Sequence, residues 1–404
     1  MLSSFLKRRR LERHVAKYVS PERVRAIVEG REPAPASIRH ELLNSAITNL
    51  TCSGMSAVPN KGRGAASNPP NRFEEIVPEP GTDLDPDDER PLSTRFFRDQ
   101  TKTILNYNDS PDVGFEVSVN PYRGCEHGCI YCYARPTHEY LGFSAGLDFE
   151  SKIMVKENAP ELLRAELASP KWKPRVVALS GVTDCYQPIE RRLKLTRRCL
   201  EVFAEFRNPV CIVTKNHLVT RDADVLGELA RHEAAVVFVS ITTLDPTLTP
   251  KMEPRASLPS HRLAAIRALH DAGVPVGVMV APVIPALTDH EMPRIIAAAV
   301  KAGAQFAGYV TLRLPLAVRP LFEDWLGRHF PTRKEKVLNR IRALRGGKIN
   351  DPNFGTRMTG EGIFAEQIEK IFEVACRKAG ILSRRAPLSA SNFRPAGGVQ
   401  LSLF

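Results

Sequence analysis

The residues best suited to chemistry in this 404-residue chain are three cysteines that lie close together in the sequence. Cys125, Cys129 and Cys132 follow a C-x3-C-x2-C spacing within "VNPYRGCEHGCIYCYARP", residues 119–136. This spacing places three thiolates on one short loop, where they can bind a single centre. Soft sulfur ligands favour zinc, copper(I) or an iron–sulfur cluster.

The absence of a fourth cysteine nearby leaves two hypotheses open. A structural zinc site has four protein ligands, so zinc would have to add His127, His138 or a distant cysteine. A [4Fe-4S] cluster held by three cysteines leaves one iron without a protein ligand. That open iron can bind a substrate or a cofactor.

From residue 115 onward, short β-rich runs alternate with amphipathic helical windows, which predicts six βα units and a parallel sheet with right-handed crossovers. Such a sheet is either doubly wound and open or curved into a barrel. In both architectures ligands bind at the carboxyl ends of the strands. The cysteines follow the first of the six predicted strands, which cover residues 115–120, 175–180, 210–215, 235–242, 275–282 and 306–314.

The cysteine motif, with Tyr131 just before the third cysteine, resembles the radical S-adenosylmethionine (SAM) superfamily over about residues 110–330. The resemblance implies an α/β fold, a partial (βα)6 TIM-like barrel, with a [4Fe-4S] cluster on the three cysteines and SAM as cofactor. In that family the open iron chelates SAM, and one-electron reduction cleaves it to a 5′-deoxyadenosyl radical. The resemblance also implies a reductant protein such as flavodoxin or ferredoxin.

Polar residues near the ends of the later strands are the candidates that the resemblance assigns to SAM. Those after the second strand would accept hydrogen bonds from the ammonium group, and the two basic residues would pair with the carboxylate. The hydroxyls on the fourth strand suit the ribose, and the tyrosine would stack near the adenine. Each residue could instead be an ordinary cap, turn former or salt-bridge partner. The set comprises Tyr131, Ser180, Thr183, Asp184, Lys215, Ser240, Thr242 and Arg255.

The segments "NPYRGCEHGCIYCYARPTHEY", "TDCYQPIE", "CIVTKN" and "SITTLD" are most similar to the DNA repair photolyase branch that includes spore photoproduct lyase. That resemblance implies lyase-type DNA repair. Spore photoproduct lyases place a hydrogen-donating cysteine three residues before the aspartate of the second-strand motif, where this chain has Gly181. Cys185, one residue after Asp184, is the catalytic candidate in its place, and buried packing is the alternative for that thiol.

The net charge of +12 is concentrated at the two ends of the chain. Residues 1–63 carry 12 basic and 5 acidic side chains, and residues 313–404 carry 17 and 8. Basic flanks suit a polyanionic partner such as nucleic acid, with DNA favoured. A glycine-rich loop at residues 345–362 could hold a phosphate backbone, although a solubilising tail and a surface hairpin are equally compatible with these features.

Three segments are predicted. Residues 1–100 form a basic, Pro/Gly-rich and largely disordered arm in which Met55 is a possible alternative start, residues 101–330 form the barrel core, and residues 331–404 form a basic extension. The extension ends in a peptide that resembles the sliding-clamp-binding motif of bacterial polymerases and repair proteins; folding back onto the core is the alternative. This peptide consists of Gln400, Leu401, Ser402, Leu403 and Phe404.

Several classes of protein are disfavoured. No apolar run reaches the roughly 20 residues of a membrane helix, and the N-terminus lacks the pattern of a secretory signal, so we expect no membrane partner and a cytoplasmic location. No P-loop, dinucleotide-binding fingerprint or Ser-His-Asp triad is evident. Two alternatives remain besides DNA repair: radical SAM modification of RNA or protein, and a zinc-binding nucleic-acid adaptor without catalysis.

Overall fold

The structure, a computed structural model, describes residues 62–73, 93–381 and 388–395, all within one compact unit that spans Val58–Phe404. The predictions for residues 1–61, including Met55, and for the C-terminal peptide lie outside these ranges. No helix of the described ranges is both long and apolar enough to cross a membrane.

A seven-stranded sheet forms the centre of the fold. Its first two strands, Leu105–Tyr107 (β2) and Val117–Val119 (β3), are antiparallel to each other. Strand β3 then begins a series of parallel neighbours that continues to Phe306–Thr311 (β10). The order across the sheet is β10-β9-β8-β7-β6-β3-β2, formed by Leu105–Tyr107 (β2), Val117–Val119 (β3), Val177–Leu179 (β6), Val210–Thr214 (β7), Ala235–Ser240 (β8), Val276–Val283 (β9) and Phe306–Thr311 (β10).

The six parallel strands are the six that the sequence predicts, and they neighbour one another in chain order. A doubly wound sheet would reverse its strand order at one point, and this sheet has no such reversal. Successive right-handed crossovers in one direction place the helices on one face and curve the sheet. The partial TIM-like barrel is therefore confirmed, and the doubly wound alternative is excluded.

Helices connect the strands and cover the outer face. Glycines follow two of them in a left-handed conformation, Gly273 at φ 75° and Gly303 at φ 110°, the conformation that commonly ends a helix. The helices are Leu147–Ser151 (α1), Ala159–Leu167 (α2), Glu190–Leu193 (α3), Leu195–Phe206 (α4), Ala223–Ala230 (α5), Thr249–Met252 (α6), Pro259–Asp271 (α7), Met292–Lys301 (α8), Val318–His329 (α9), Lys334–Ala343 (α10) and Ile363–Ala379 (α11).

A second, three-stranded sheet lies beside the barrel and was not predicted. Its order is β1-β5-β4, formed by Arg95–Arg98 (β1), Lys152–Val155 (β5) and Tyr122–Arg123 (β4). Strands β4 and β5 are the segments directly before and shortly after the cysteine loop. This sheet therefore fixes both ends of the segment that carries the cysteines.

The C-terminal extension packs against the barrel. The buried side of α11 belongs to the same hydrophobic core as the barrel strands, and the rings of Phe372 and Tyr309 lie 4.8 Å apart. Helix α10 belongs to a second hydrophobic core that includes Ile130 and Tyr131 of the cysteine loop. Helix α9, which precedes the extension, joins the same core through Trp325. The extension is thus part of the structure that supports the loop.

Candidate active site

The three cysteines lie on the loop after β4, at the carboxyl end of β3. Cys125 and Cys129 are only 6% and 8% exposed, and Cys132 is half-buried. The loop turns through Gly128 at φ 67°, where an added Cβ would lie 2.7 Å from the carboxylate of Glu150. The glycine between the first two cysteines is therefore required by the turn and by the close approach of that carboxylate.

The electrostatics of the loop fit a positively charged, thiolate-bound centre. Burial raises the pKa of all three thiols, and repulsion from neighbouring negative charges raises the pKa of Cys125 further. These charges include the carboxylate of Asp184 and the thiolates of Cys129 and Cys132. Metal binding requires the deprotonated thiolates, so an iron–sulfur cluster would supply the compensating positive charge.

Of the two histidines that the zinc hypothesis would recruit, His127 is already engaged, whereas both ring nitrogens of the buried His138 lack a hydrogen-bond partner within the described ranges. The His127 ring nitrogens lie 3.3 Å from an Asp184 carboxylate oxygen and 3.1 Å from the Asn216 amide nitrogen. His138 packs edge-on against Phe149, with ring centres 5.6 Å apart.

A buried ion pair anchors the cysteine loop from behind. Arg135 and Glu150 are both fully buried and lie 2.6 Å apart. The Arg135 guanidinium also donates to the carbonyls of Cys129 at 3.0 Å and Gly128 at 3.2 Å. Because a buried guanidinium must have all its partners in place, this pair fixes the backbone that carries the second cysteine.

Residues 62–73, which we call the strap, complete the anchor. The Gly64 and Ala65 N–H groups donate to the two carboxylate oxygens of Glu150, each at 2.9 Å. A Cβ on Gly64 would lie 1.9 Å from the Gly128 carbonyl oxygen, so only glycine fits at this contact. The prediction of a largely disordered arm is therefore wrong for the strap. It is also wrong for residues 95–98 of the same arm, which form β1.

Four of the eight residues predicted to bind SAM form one buried group beside the cysteines. The Lys215 ammonium lies 2.6 Å from the Ser240 hydroxyl and 5.8 Å from the centre of the Tyr131 ring. The Tyr131 hydroxyl is 3.2 Å from that of Thr242. These side chains come from the cysteine loop, the end of β7 and the end of β8, so the barrel brings them together as the sequence predicts.

Two further residues of this group escaped sequence reasoning. Glu253 accepts hydrogen bonds from Tyr131 and Arg262, and from the Thr242 hydroxyl at 2.7 Å. Burial opposes ionisation of Glu253, but Arg262 and Lys215 outweigh it and lower its pKa to about 2. A charged residue on the otherwise apolar face of α7, Arg262, was the available signal.

Both carboxylate oxygens of Asp184 are engaged in hydrogen bonds within the protein. One oxygen accepts from the Thr214 hydroxyl at 2.8 Å and from the Tyr186 N–H at 2.9 Å, and the other accepts from the Lys215 N–H at 2.8 Å. Burial opposes ionisation, but His127 and these hydrogen bonds hold the pKa of Asp184 below its usual value. The carboxylate therefore joins the ends of neighbouring strands, and its contact with SAM stays a prediction.

Thr183 and Ser180 are also engaged with the backbone. The buried Thr183 hydroxyl donates to the Tyr122 carbonyl at 2.9 Å. Ser180 lies in the left-handed region at φ 85°, and its hydroxyl donates to the Val213 carbonyl at 3.0 Å. Both hydroxyls act between strand ends in this conformation.

Arg255 fastens the cysteine loop instead of joining the Lys215 group. Its guanidinium lies 3.1 Å from Glu126 and donates to the Thr94 hydroxyl at 3.1 Å. Its backbone N–H donates to the His127 carbonyl at 3.2 Å. The residue therefore links the segment after α6 to the loop between the first two cysteines.

The environment of Cys185 is that of a packed core residue. Its side chain is fully buried in the hydrophobic core that the barrel shares with α4, and its carbonyl accepts from the Thr196 hydroxyl at 2.7 Å. This burial favours the packing alternative for Cys185.

The part of the chain that holds this site is similar to known proteins. Residues 119–299 match the family model of the radical SAM superfamily. An uncharacterized protein of Mycobacterium tuberculosis is 39% identical over 257 residues, which cover 63% of this chain and 74% of that protein. One of Methanocaldococcus jannaschii is 29% identical over 233 residues, which cover 58% and 83%.

Among solved structures, spore photoproduct lyase complexed with dinucleoside spore photoproduct has a similar fold, with a TM-score of 0.51. The sequence identity is 16%, and the match covers 70% of this chain and 79% of that chain. At this identity the likeness concerns the fold alone. Taken with the family model, the mycobacterial relative and the cysteine loop, it leads to one conclusion: the chain belongs to the radical SAM superfamily, whose members use a [4Fe-4S] cluster and SAM.

Proposed function

We propose that this radical SAM enzyme acts on nucleic acid and that its reaction is the repair of a lesion in DNA. The observation that carries the proposal is the position of the basic C-terminal extension. Its glycine-rich loop binds the carboxyl end of β10, where the Thr311 N–H donates to the Met358 carbonyl at 2.9 Å. Arg345 and Arg357 of this loop therefore lie at the same end of the barrel as the cysteines, where substrates of such barrels bind.

The fold adds support for this substrate class. The solved structure of spore photoproduct lyase with a dinucleoside lesion has a similar fold, and the charge of residues 313–404, with 17 basic and 8 acidic side chains, suits a polyanion. Modification of RNA or of a protein would use the same cofactors. The experiment below separates these substrates from DNA.

The chain's own residues would position the cofactors. Cys125, Cys129 and Cys132 would hold the cluster, which when bound supplies the electron that cleaves SAM to methionine and a 5′-deoxyadenosyl radical. Lys215 would bind the SAM carboxylate as a point charge, exchanging its present contact with Ser240 for one with the cofactor. Burial of the surrounding side chains excludes water from the site.

The test is anaerobic reconstitution with iron and sulfide, followed by SAM, dithionite as the reductant, and chromatography for 5′-deoxyadenosine. We expect a brown protein with about four irons per chain that forms 5′-deoxyadenosine, and a Cys129→Ala variant that does not. UV-irradiated DNA should accelerate product formation more than undamaged DNA, RNA or protein.

Two results would contradict the proposal at different levels. A colourless protein with bound zinc that leaves SAM intact would refute the catalytic function and favour the adaptor alternative. An active enzyme that responds to RNA or protein but not to DNA would refute only the proposed substrate.

The sliding-clamp partner also remains a proposal. The peptide that resembles the clamp-binding motif, residues 400–404, lies outside the described ranges. Recruitment to a replication clamp would fit a repair enzyme, since it would bring the enzyme to DNA. The corresponding test is given in the Discussion.

A further inference from the structure

Arg313, in the segment that follows β10, is a partly buried cation with few partners. Its guanidinium makes one long contact, 3.5 Å, with the Met358 sulfur, and its Nε is buried without a hydrogen-bond partner. Burial and the nearby Arg357 lower the pKa of Arg313. In the part of the chain that the structure describes, no carboxylate lies at ion-pair distance from this guanidinium, so it lacks its counter-charge.

The acidic residues nearest to Arg313 are already engaged. Asp112 accepts from the Gly355 N–H at 2.7 Å and forms an ion pair with Arg357. Asp351 accepts from the Asn353 N–H at 2.9 Å and from the Thr356 hydroxyl at 2.5 Å. Both carboxylates are committed to these partners, so within the described ranges the Arg313 guanidinium is open to an external anion.

Two other arginines fix the surroundings of Arg313. Arg345 is buried, and its guanidinium donates to the Thr356 carbonyl at 3.0 Å and to the Leu312 carbonyl at 2.9 Å, which joins the glycine-rich loop to the segment after β10. Arg357 stacks over Phe354 at 4.4 Å from the ring centre. The loop therefore presents a cation and an exposed aromatic ring next to Arg313.

This group of residues lies directly beside the cysteine loop. Arg313 sits 5.9 Å from the ring centre of Tyr133, the residue that follows Cys132. The Tyr133 hydroxyl donates to the Gly181 carbonyl at 2.7 Å, and about half of the side chain remains exposed. An anion bound to Arg313 would thus lie at the open end of the barrel, adjacent to the proposed cluster site.

We propose that Arg313 binds a phosphodiester group of the substrate, with Arg357 as a second cation and Phe354 as a surface on which a base stacks. The inference rests on the proposed action on nucleic acid and extends it to a named site. A planar guanidinium fork matches the geometry of phosphate oxygens, and alternation of arginines with exposed aromatic rings is typical of surfaces that bind single-stranded nucleic acid.

The test is binding of a fluorescein-labelled thymidine octanucleotide to the reconstituted protein with SAM, measured by fluorescence anisotropy at several salt concentrations. Arg313→Gln should weaken binding about 10-fold and lower the salt dependence by about one phosphate contact. Arg313→Lys, which keeps the charge but loses the fork, should lie between Gln and wild type. Thermal unfolding and SAM binding check that each variant is folded.

Arg319→Gln is the matched control, because Arg319 is an exposed arginine of the neighbouring helix α9 that pairs with Glu323 at 2.8 Å. It removes the same charge and should change affinity little. Equal losses for Arg313→Gln and Arg319→Gln would overturn the site while leaving action on nucleic acid intact. If wild-type protein binds neither DNA nor RNA, the proposed function fails and this inference fails with it.

Discussion

At the scale of single residues, the most consequential side chain that the sequence did not reveal is Glu253. It is fully buried and neutralises Arg262 in the same group as Lys215 and Tyr131. Lys215 and Ser240 were predictable because they follow β-rich runs, where the carboxyl ends of parallel strands meet. Glu253 lies in a connecting segment, and its importance depends on a partner nine positions along the chain that only the fold brings to it.

Replacement of Glu253 by glutamine should destabilise the protein by about 3 kcal/mol, because it leaves the Arg262 charge buried without compensation. The free energy of unfolding in urea measures this. Glu205→Gln serves as the control, since the Glu205–Arg164 pair is half exposed and its loss should cost less than about 1 kcal/mol. Equal losses in the two variants would contradict the assigned role of Glu253.

His138 should make stability depend on pH. Burial lowers its pKa from 6.5 to about 4, so the folded protein holds this ring neutral while the unfolded chain protonates it. The stabilising contribution is complete above pH 6.5 and is lost as the pH falls toward 4. Between pH 7.5 and pH 5.5 the wild type should lose about 1 kcal/mol that a His138→Phe variant keeps.

The same urea titrations at the two pH values provide the check on His138. His290→Asn, at an exposed histidine, is the control and should retain the wild-type pH dependence. A His138→Phe protein with unchanged pH dependence would show that this ring is not the group responsible.

At the scale of elements, the barrel was predictable and the supports of the cysteine loop were not. The six parallel strands are short, apolar and β-branched, and amphipathic helices separate them, so pattern and propensity agree. The strap carries no such pattern. It binds Glu150 through backbone N–H groups. A composition of Gly, Pro and Asn predicts an extended arm, and it does not reveal whether the backbone N–H groups form hydrogen bonds.

The strap should control how firmly the loop retains its cluster. Gly64→Ala places a methyl group against the Gly128 carbonyl and should break the two hydrogen bonds to Glu150. Loss of about 1.4 kcal/mol from these bonds corresponds to about 10-fold faster iron release to a chelator under anaerobic conditions. Iron release, followed by absorbance, reports on the loop independently of turnover.

Gly62→Ala is the matched control for this variant. It adds the same methyl group to the strap at a position with no atom within 4 Å of the new carbon. Gly62 has φ 76°, so this substitution introduces modest backbone strain without a clash. Equal rates of iron release from the two variants would show that the strap does not hold the loop.

At the scale of the whole molecule, charge and site geometry agree. The middle of the chain is slightly acidic and both ends are basic, and the glycine-rich loop of the C-terminal extension contacts the end of β10 on the side where the cysteines open. The sequence predicts the charge distribution directly. It does not predict that α9 packs against the cysteine loop, because that core joins residues 129–131 to residues 318–326, which are far apart in the sequence.

The C-terminal peptide should direct the protein to its place of action without affecting chemistry. A Leu403→Ala/Phe404→Ala double variant is expected to lose binding to a bacterial sliding clamp in surface plasmon resonance, because the two apolar anchors are removed. Its rate of 5′-deoxyadenosine formation should equal that of the wild type. Clamp binding that survives the double substitution, or that is absent from the wild type, would refute the assignment.

The anchor at Glu150 has a consequence for the order in which the protein is made. Every residue of that anchor, from the strap through Arg135 to Glu150, precedes the second of the six parallel strands. The residues that enclose the cysteines on the other side, Lys215 and Glu253, are synthesised later, and at about 5–20 residues per second the last of them follows Glu150 by roughly 10 s. A nascent chain that folds as it leaves the ribosome would hold its three cysteines in place while they are still open on one side. The iron–sulfur assembly machinery would then have time to deliver the cluster before the barrel closes around the cysteines.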